Sequence, residues 1–335
     1  MRQIMHRKFQ LSLNLLLLIG ILSGCSGTPE TEKVFRIVSL APNWTQTVAE
    51  IGAMDQLVGV TRFCIYPDEI QKKVSAGELV SIGGFVDLSM SRVDSLKPDL
   101  VLTATGMQLK YHKYLSSKNI PYIHMEESSL AETYEKILAL GKFINMDDAA
   151  QKLVESITSE LAALELEYAN LPTVKTYYEI NYAYKCAPGA DSYIVELMRM
   201  VGADPIYAYR KGIAPSITWD EVLSVNPEVI LVPWWETAWL EGTHFKGEQR
   251  GYGTTTLSEI ANRRDAQNIL AVQNGKIRYI NSAKTKQAGP MIPTAVKLFA
   301  EAIHAPGRIE SMAMDYVPQF MTEQDTFHVA LEVVE

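Results

Sequence analysis

Cysteine is scarce: of three in 335 residues, only Cys64 and Cys186 lie in the body of the chain, while Cys25 closes an apolar N-terminal stretch. A scaffold built on disulfides is excluded, and no CxxC pair or Cys/His cluster offers a structural metal site. Cys64 and Cys186 fall in different halves, so two free or buried thiols are expected. Histidine is almost as rare, with His112, His124, His244, His304 and His328 scattered beyond the N-terminus. A site that captures zinc or manganese through converging imidazoles is not expected. No GxGxxG, P-loop, GxSxG or HExxH occurs, and the first strand signal runs into Ala41-Pro42-Asn43 where a dinucleotide fingerprint would have glycines. The chain is therefore not expected to be an enzyme: no catalytic residue, cofactor or resident metal is assigned.

At the N-terminus, Arg2, Arg7 and Lys8 precede the apolar residues 11–22, which end at Ser23-Gly24-Cys25. A basic end, a short apolar middle and small residues are the anatomy of a signal peptide. The run Leu22-Ser23-Gly24-Cys25 resembles the bacterial lipobox, which implies that Cys25 is diacylated and becomes the mature N-terminus; the alternative is an uncleaved membrane anchor. Residues 26–31, rich in Ser, Gly, Thr and Pro, read as a flexible tether. Losing residues 1–24 removes three basic residues and no acid, so 31 bases fall to 28 against 39 acids and the net charge moves from −8 to −11. An acidic surface without a basic stripe excludes nucleic acid as a partner. The roughly 310 residues that remain are enough for two cores.

Strand signals alternate with helical ones. Residues 35–40 form an apolar run closed by Ala41-Pro42-Asn43, and Asn43 or Thr45 is placed to cap a helix over 46–51 that Gly52 stops. Apolar runs follow at 57–60, 100–103 and 122–125, with helical patterns at 91–96 and 107–117, and the second half repeats the logic with strands at 176–180, 229–232 and 277–280. Alternation of this kind needs parallel crossovers and hence an α/β fold. The halves also echo each other. Residues 91–102 and 220–231 both run from a short helix through Pro98-Asp99 or Pro227-Glu228 into an apolar strand, and residues 119–123 resemble 275–280. Between the halves, residues 146–169 predict a helix of about 22 residues spanning some 33 Å.

Together, Arg36-Ile37-Val38-Ser39-Leu40-Ala41-Pro42, Leu57-Val58-Gly59-Val60-Thr61 with Tyr66-Pro67, Ile82-Gly83-Gly84-Phe85, Leu96-Lys97-Pro98-Asp99-Leu100-Val101, Trp219-Asp220-Glu221-Val222-Leu223 and Asn226-Pro227-Glu228-Val229-Ile230 resemble a known family. It is the periplasmic binding proteins of ABC importers for vitamin B12, haem and ferric siderophores, its cobalamin-binding members above all. The resemblance implies two Rossmann-like lobes joined by a long interdomain helix, a shallow ligand cleft and small lobe movements. The expected partition is a 1–24 signal peptide, a 25–34 tether, a 35–145 N-terminal α/β lobe, a 146–170 connecting helix, a 171–305 C-terminal α/β lobe and a 306–335 extension. Expected partners are the permease and ATPase subunits of an ABC importer, a corrinoid or iron-chelate ligand, and a membrane reached through the lipid anchor. The protein is expected to be a monomer in the cell envelope.

Ligands of parallel α/β lobes sit outside the carboxyl ends of the strands. The loops there are aromatic, and Trp44, Arg62, Phe63, Tyr66, Phe85, Tyr182, Tyr184, Trp234, Trp235 and Trp239 are the candidate ligand contacts. Aromatic side chains give large, stiff contact area to a flat or bulky amphipathic solute. Trp44 has an equal alternative in packing beneath its loop. Arg62, Arg210, Lys211, Lys284 and Lys286 are candidate cations for an acidic complex, each with an alternative as a solvated surface charge. Siderophore binders of the family use Arg, Lys or Tyr, whereas its B12 binders rely on aromatic and polar contacts, which favours a corrinoid here. The tryptophan those binders place before the acidic helix of the second lobe is absent; Gly212-Ile213-Ala214-Pro215 stands there. The resemblance also implies an acidic permease-docking residue on each lobe. Asp220 matches in the second lobe; the first-lobe position is Ser91, leaving Asp87 or Asp94 as substitutes.

Overall fold

The computed structural model describes residues 34–180, 186–234 and 257–306. The expectations for residues 1–33, including Cys25, and for most of the C-terminal extension lie outside them. From Phe35 onward the chain is one compact unit.

Two parallel sheets organise it. Strands β1 (Ile37–Ser39), β2 (Leu57–Val60), β3 (Val80–Ser81), β4 (Leu100–Ala104) and β5 (Tyr122–Met125) lie in the order β3-β2-β1-β4-β5. Strands β6 (Val174–Tyr178), β7 (Ala203–Pro205), β8 (Val229–Trp234) and β9 (Ile277–Asn281) lie in the order β7-β6-β8-β9. β1 and β4 are buried along their whole length, as helices on both faces of a parallel sheet require. The helices are α1 (Pro42–Glu50), α2 (Asp68–Ser75), α3 (Met90–Ser95), α4 (His112–Ser117), α5 (Leu130–Phe143), α6 (Asp147–Tyr168), α7 (Tyr193–Met200), α8 (Trp219–Val225), α9 (Leu257–Ala261), α10 (Leu270–Gln273), α11 (Ser282–Thr285) and α12 (Ile292–His304). The expected cap of α1 is corrected: Ala41 holds the N-cap position without a side-chain bond, and Pro42 opens the helix, where its missing N–H costs nothing.

The internal echo has a physical basis. Asp99 accepts from the Arg36 amide at 2.9 Å and its own amide donates to the Arg36 carbonyl at 2.8 Å. Glu228 does the same with Lys175, at 2.9 and 2.8 Å. Arg36 and Lys175 in turn donate through their side chains to Leu96 O and Val225 O, the carbonyls that end α3 and α8. Lys97 and Asn226, each just before a proline, turn the chain with φ of 48° and 53°. A proline-acid pair thus locks each short helix and central strand to the start of the neighbouring strand.

Helix α6 carries the apolar stripe Ala150, Val154, Ile157, Leu161 and Leu164, spaced as one helix face. It packs against α5 on one side and against α7 and α12 on the other, so it joins the lobes along its length. Each sheet has a smaller apolar cluster of its own, around Val38, Leu40 and Val101 and around Tyr177, Val222 and Ile230, and a larger one joins them. The largest apolar cluster takes Ile37, Trp44 and Leu102 from the first lobe together with Tyr178, Leu231 and Phe299 from the second, because the stripe of α6 and the faces of α5, α7 and α12 fill the space between the sheets.

Candidate ligand cleft

Strand order reverses between β1 and β4 in the first sheet and between β6 and β8 in the second. The crevice outside the carboxyl ends at these points is where open α/β sheets bind ligands. In the first lobe its floor hangs on Gln108, a residue that sequence reasoning missed. Its fully buried carboxamide accepts from Ala104 N at 2.8 Å and donates to Leu40 O at 2.8 Å and Phe85 O at 3.0 Å. One side chain therefore ties the ends of β1 and β4 to the loop after β3. Its neighbours Met107 and Leu109 are 49% and 48% exposed, an apolar-out, polar-in inversion that is the sequence signal for a rim rather than a core.

Arg62, in the loop after β2, meets Asp87, in the loop after β3, through two hydrogen bonds of 2.7 and 3.2 Å. The guanidinium also lies over the Phe63 ring, 5.3 Å from its centroid. A Cβ on Gly84 would come within 2.1 Å of Asp87 Oδ1 and 2.5 Å of Arg62 Nη2, so glycine there leaves room for the pair. Phe63, Tyr66 and Phe85 are half-buried on these loops, with Phe85 packed on the main core. Trp44 is corrected: it is fully buried and its indole N–H donates to Thr103 O at 2.8 Å. The loop aromatics keep a wet edge, whereas the residues 42–48 of α1 are buried on every side.

The second lobe meets this wall through the segment after β9. Lys284 places its ammonium 5.5 Å from the Tyr66 ring centroid, across the lobes. Lys286 donates to Ile180 O, lies 5.8 Å from the Tyr178 ring centroid, and loss of hydration pushes its amine down to about 7. Arg210 pairs with Glu221 and lies over the Tyr207 ring; Lys211 is exposed. Trp234 ends β8 opposite Asn281, while Tyr182, Tyr184, Trp235 and Trp239 lie outside the described residues. Cys64 and Cys186 are both buried, and no disulfide joins them.

At the cleft base the lobes touch directly. Asn43 donates its amide to Glu127 Oε1 at 3.1 Å and reaches Ala288 O of the second lobe at 3.4 Å. The Leu130 amide donates to Glu196 of α7 at 3.0 Å. Lost hydration, then repulsion from Glu132 and Glu126, pushes the Glu127 carboxyl up to about 8, so it is held neutral at this contact. His112 and His124 share the Thr103 hydroxyl at 3.0 and 2.9 Å, with Glu126 on His124 at 2.9 Å. Among the described residues no group of three or more His, Cys, Asp or Glu could hold a metal ion. Of the expected docking acids, Asp220 pairs with Arg264 on the surface and Asp87 is the partner of Arg62. Ser91 bonds Ser89 at 3.1 Å, and Tyr114 donates to Asp94 at 2.5 Å.

Two parallel α/β lobes braced by one helix, with loops of both lobes facing across a cleft, define a solute-binding architecture. Residues 37–283 match the family described as periplasmic binding protein, and the chain belongs to it. Its relatives include a vitamin B12-binding protein of Vibrio parahaemolyticus, 25% identical over 204 residues, covering 61% of this chain and 72% of that one. An uncharacterised ABC transporter substrate-binding lipoprotein, YvrC, of Bacillus subtilis is 23% identical over 280 residues, covering 80% of each chain. A solved periplasmic haem-binding protein, HutB, of Vibrio cholerae superimposes with a TM-score of 0.62 at 17% identity, covering 81% of this chain and 100% of that one. The chain thus belongs to the periplasmic binding protein family, and the relatives it resembles are named as vitamin B12-binding, haem-binding and ABC transporter substrate-binding proteins.

Proposed function

We propose that this protein is a lipid-anchored receptor that captures a corrinoid such as vitamin B12 and hands it to an ABC importer. One observation supports a corrinoid over a haem or an acidic ferric siderophore: the two candidate guanidiniums of the cleft region are already matched by carboxylates, Arg62 by Asp87 and Arg210 by Glu221. Lys286 gives up its proton readily, so the wall meets a solute mainly through Phe63, Tyr66, Phe85, Met107 and Leu109. Haem propionates or an anionic chelate would call for uncommitted, forked donors. The partition at 35–145, 146–170 and 171–305, the tail at 306–335 and the docking acid Asp220 belong to this reading, as does the tether from Cys25.

The test is to add cyanocobalamin, hemin and a panel of ferric siderophores to the purified protein and follow tryptophan fluorescence and melting temperature. Cobalamin is expected to quench the fluorescence and raise the melting temperature more than the others do. A stronger response to hemin or to a siderophore moves the assignment to that solute, and no response to any of them overturns solute capture. Cys25→Ala is expected to move the protein from the membrane fraction to the soluble one; unchanged fractionation overturns the lipid anchor.

A further inference from the structure

Thr105, the first residue past β4, is costly to the fold in two ways. It sits at φ 56° and ψ 159°, a backbone conformation almost reserved to glycine. Of the seven non-glycine residues with positive φ among the described ones, it alone is β-branched, the side-chain class that tolerates such a backbone least. Helix capping does not account for it. Thr105 holds the N-cap position of the 3₁₀ turn Gly106–Tyr111, yet its side chain makes no cap bond, and its buried hydroxyl finds no partner among the described residues. A glycine would remove both costs, so the stability of this turn alone does not explain a threonine.

Strain of this kind persists only where the surroundings over-determine it, and here they do. The Thr105 amide donates to Met125 O at 2.9 Å, and the Gln108 amide donates to Thr105 O at 3.0 Å. Gln108 spreads three side-chain bonds over the ends of β1 and β4 and the loop after β3. Lys110 and Tyr111 both donate to Val86 O of that loop, at 2.8 and 2.7 Å. Between these clamps Met107 and Leu109 stand exposed. A branched Cβ at positive φ has far fewer neighbouring conformations than a glycine, so the turn cannot swing about its first residue. We propose that Thr105 is a positioning residue for the cleft: its strained, branched backbone fixes the 106–111 turn in advance, so that Met107 and Leu109 meet the solute without first being ordered. Ordering completed before binding appears as affinity. This rests on the reading that a solute fills the cleft.

The test compares Thr105→Gly and Thr105→Val with the unchanged protein in thermal melting, hydrogen–deuterium exchange and calorimetric titration with cyanocobalamin, hemin and the same ferric siderophores. Thr105→Gly is expected to raise the melting temperature by about 2 °C through relief of strain, to speed exchange in residues 106–111, and to weaken binding about fivefold through the ordering now left to the solute. A merely structural role would move stability and affinity in the same direction. Thr105→Val keeps the branched Cβ and is expected to restore slow exchange and tight binding. A lower melting temperature in Thr105→Gly, unchanged exchange there, or unchanged affinity for a probe that the unchanged protein binds would each overturn the proposal and leave solute capture standing. An equal loss of affinity in Thr105→Val would assign the effect to the hydroxyl and overturn it as well. Binding of no probe by the unchanged protein would overturn solute capture and the positioning role together.

Discussion

Arg62 and Asp87 close on each other from two different loops, Nη1 to Oδ2 at 2.7 Å and Nη2 to Oδ1 at 3.2 Å, and so a residue expected to meet the ligand and one expected to meet the permease form a single unit. The guanidinium side chain is 17% exposed, enough shielding for the pair to hold the loops in register. The backbone at Gly84 is part of that unit.

Gly84→Ala is therefore expected to lower ligand affinity in the same direction as Arg62→Gln and Asp87→Asn. The double variant Arg62→Gln/Asp87→Asn should lose little beyond either single change, since coupled neighbours are not additive. Calorimetric titration with the preferred solute checks this. Additive losses would mean the two side chains act separately.

Trp44→Phe is expected to destabilise the fold by about 1 kcal/mol, the loss of the one buried hydrogen bond from the indole to Thr103 O, with ligand affinity unchanged. Urea unfolding and a binding titration separate the two effects. Weaker binding at unchanged stability would put the indole back in the cleft wall.

Two buried groups give the stability a shaped pH profile. Glu127 is raised from 4.5 to about 8, so the folded protein holds a proton the unfolded chain has lost, and its contribution declines as pH rises from 4.5 through about 8. Lys286 is lowered from 10.5 to about 7. The unfolded chain then holds the extra proton, and stability recovers as pH climbs from about 7 toward 10.5. A minimum near neutrality is expected in melting temperature against pH. Glu127→Gln should remove the falling limb and Lys286→Met the rising one; unchanged limbs would reject the assignment.

Asp220 and Arg264 form an exposed pair, with side chains 70% and 67% accessible, and such pairs add little stability. Asp220→Arg is expected to leave melting temperature and solute affinity unchanged while impairing uptake in cells that depend on the importer. Full uptake would remove Asp220 from the docking surface.

Much of the scaffold was legible because it is repetitive and local. Pro98-Asp99 and Pro227-Glu228 announced the two central strands, and the apolar spacing of Ala150, Leu153, Val154, Ile157, Leu161, Leu164 and Leu166 announced α6, although Leu166 is left 79% exposed. The edge strands β3 and β7 were not legible: they are two and three residues long, and Asp204-Pro205 reads as a turn, although proline is tolerated at a sheet edge. The direction of Trp44 was hidden because residues 42–48 are all buried, so no polar face marks which way α1 turns. Gln108 was hidden for another reason. Its three partners lie in three separate segments, and only the folded chain brings them within reach of one amide.

The apolar cluster that joins Trp44 to Tyr178 and Phe299 has a consequence for signalling. Prising the lobes apart would wet that cluster, at about 2.5 kcal/mol for every ~100 Å² uncovered, which opposes wide opening. Under the proposed importer role, a membrane partner would then have little gross shape change by which to recognise cargo. It would have to sense occupancy at the mouth itself, through the solute's exposed edge or the small adjustments of the loops that hold it.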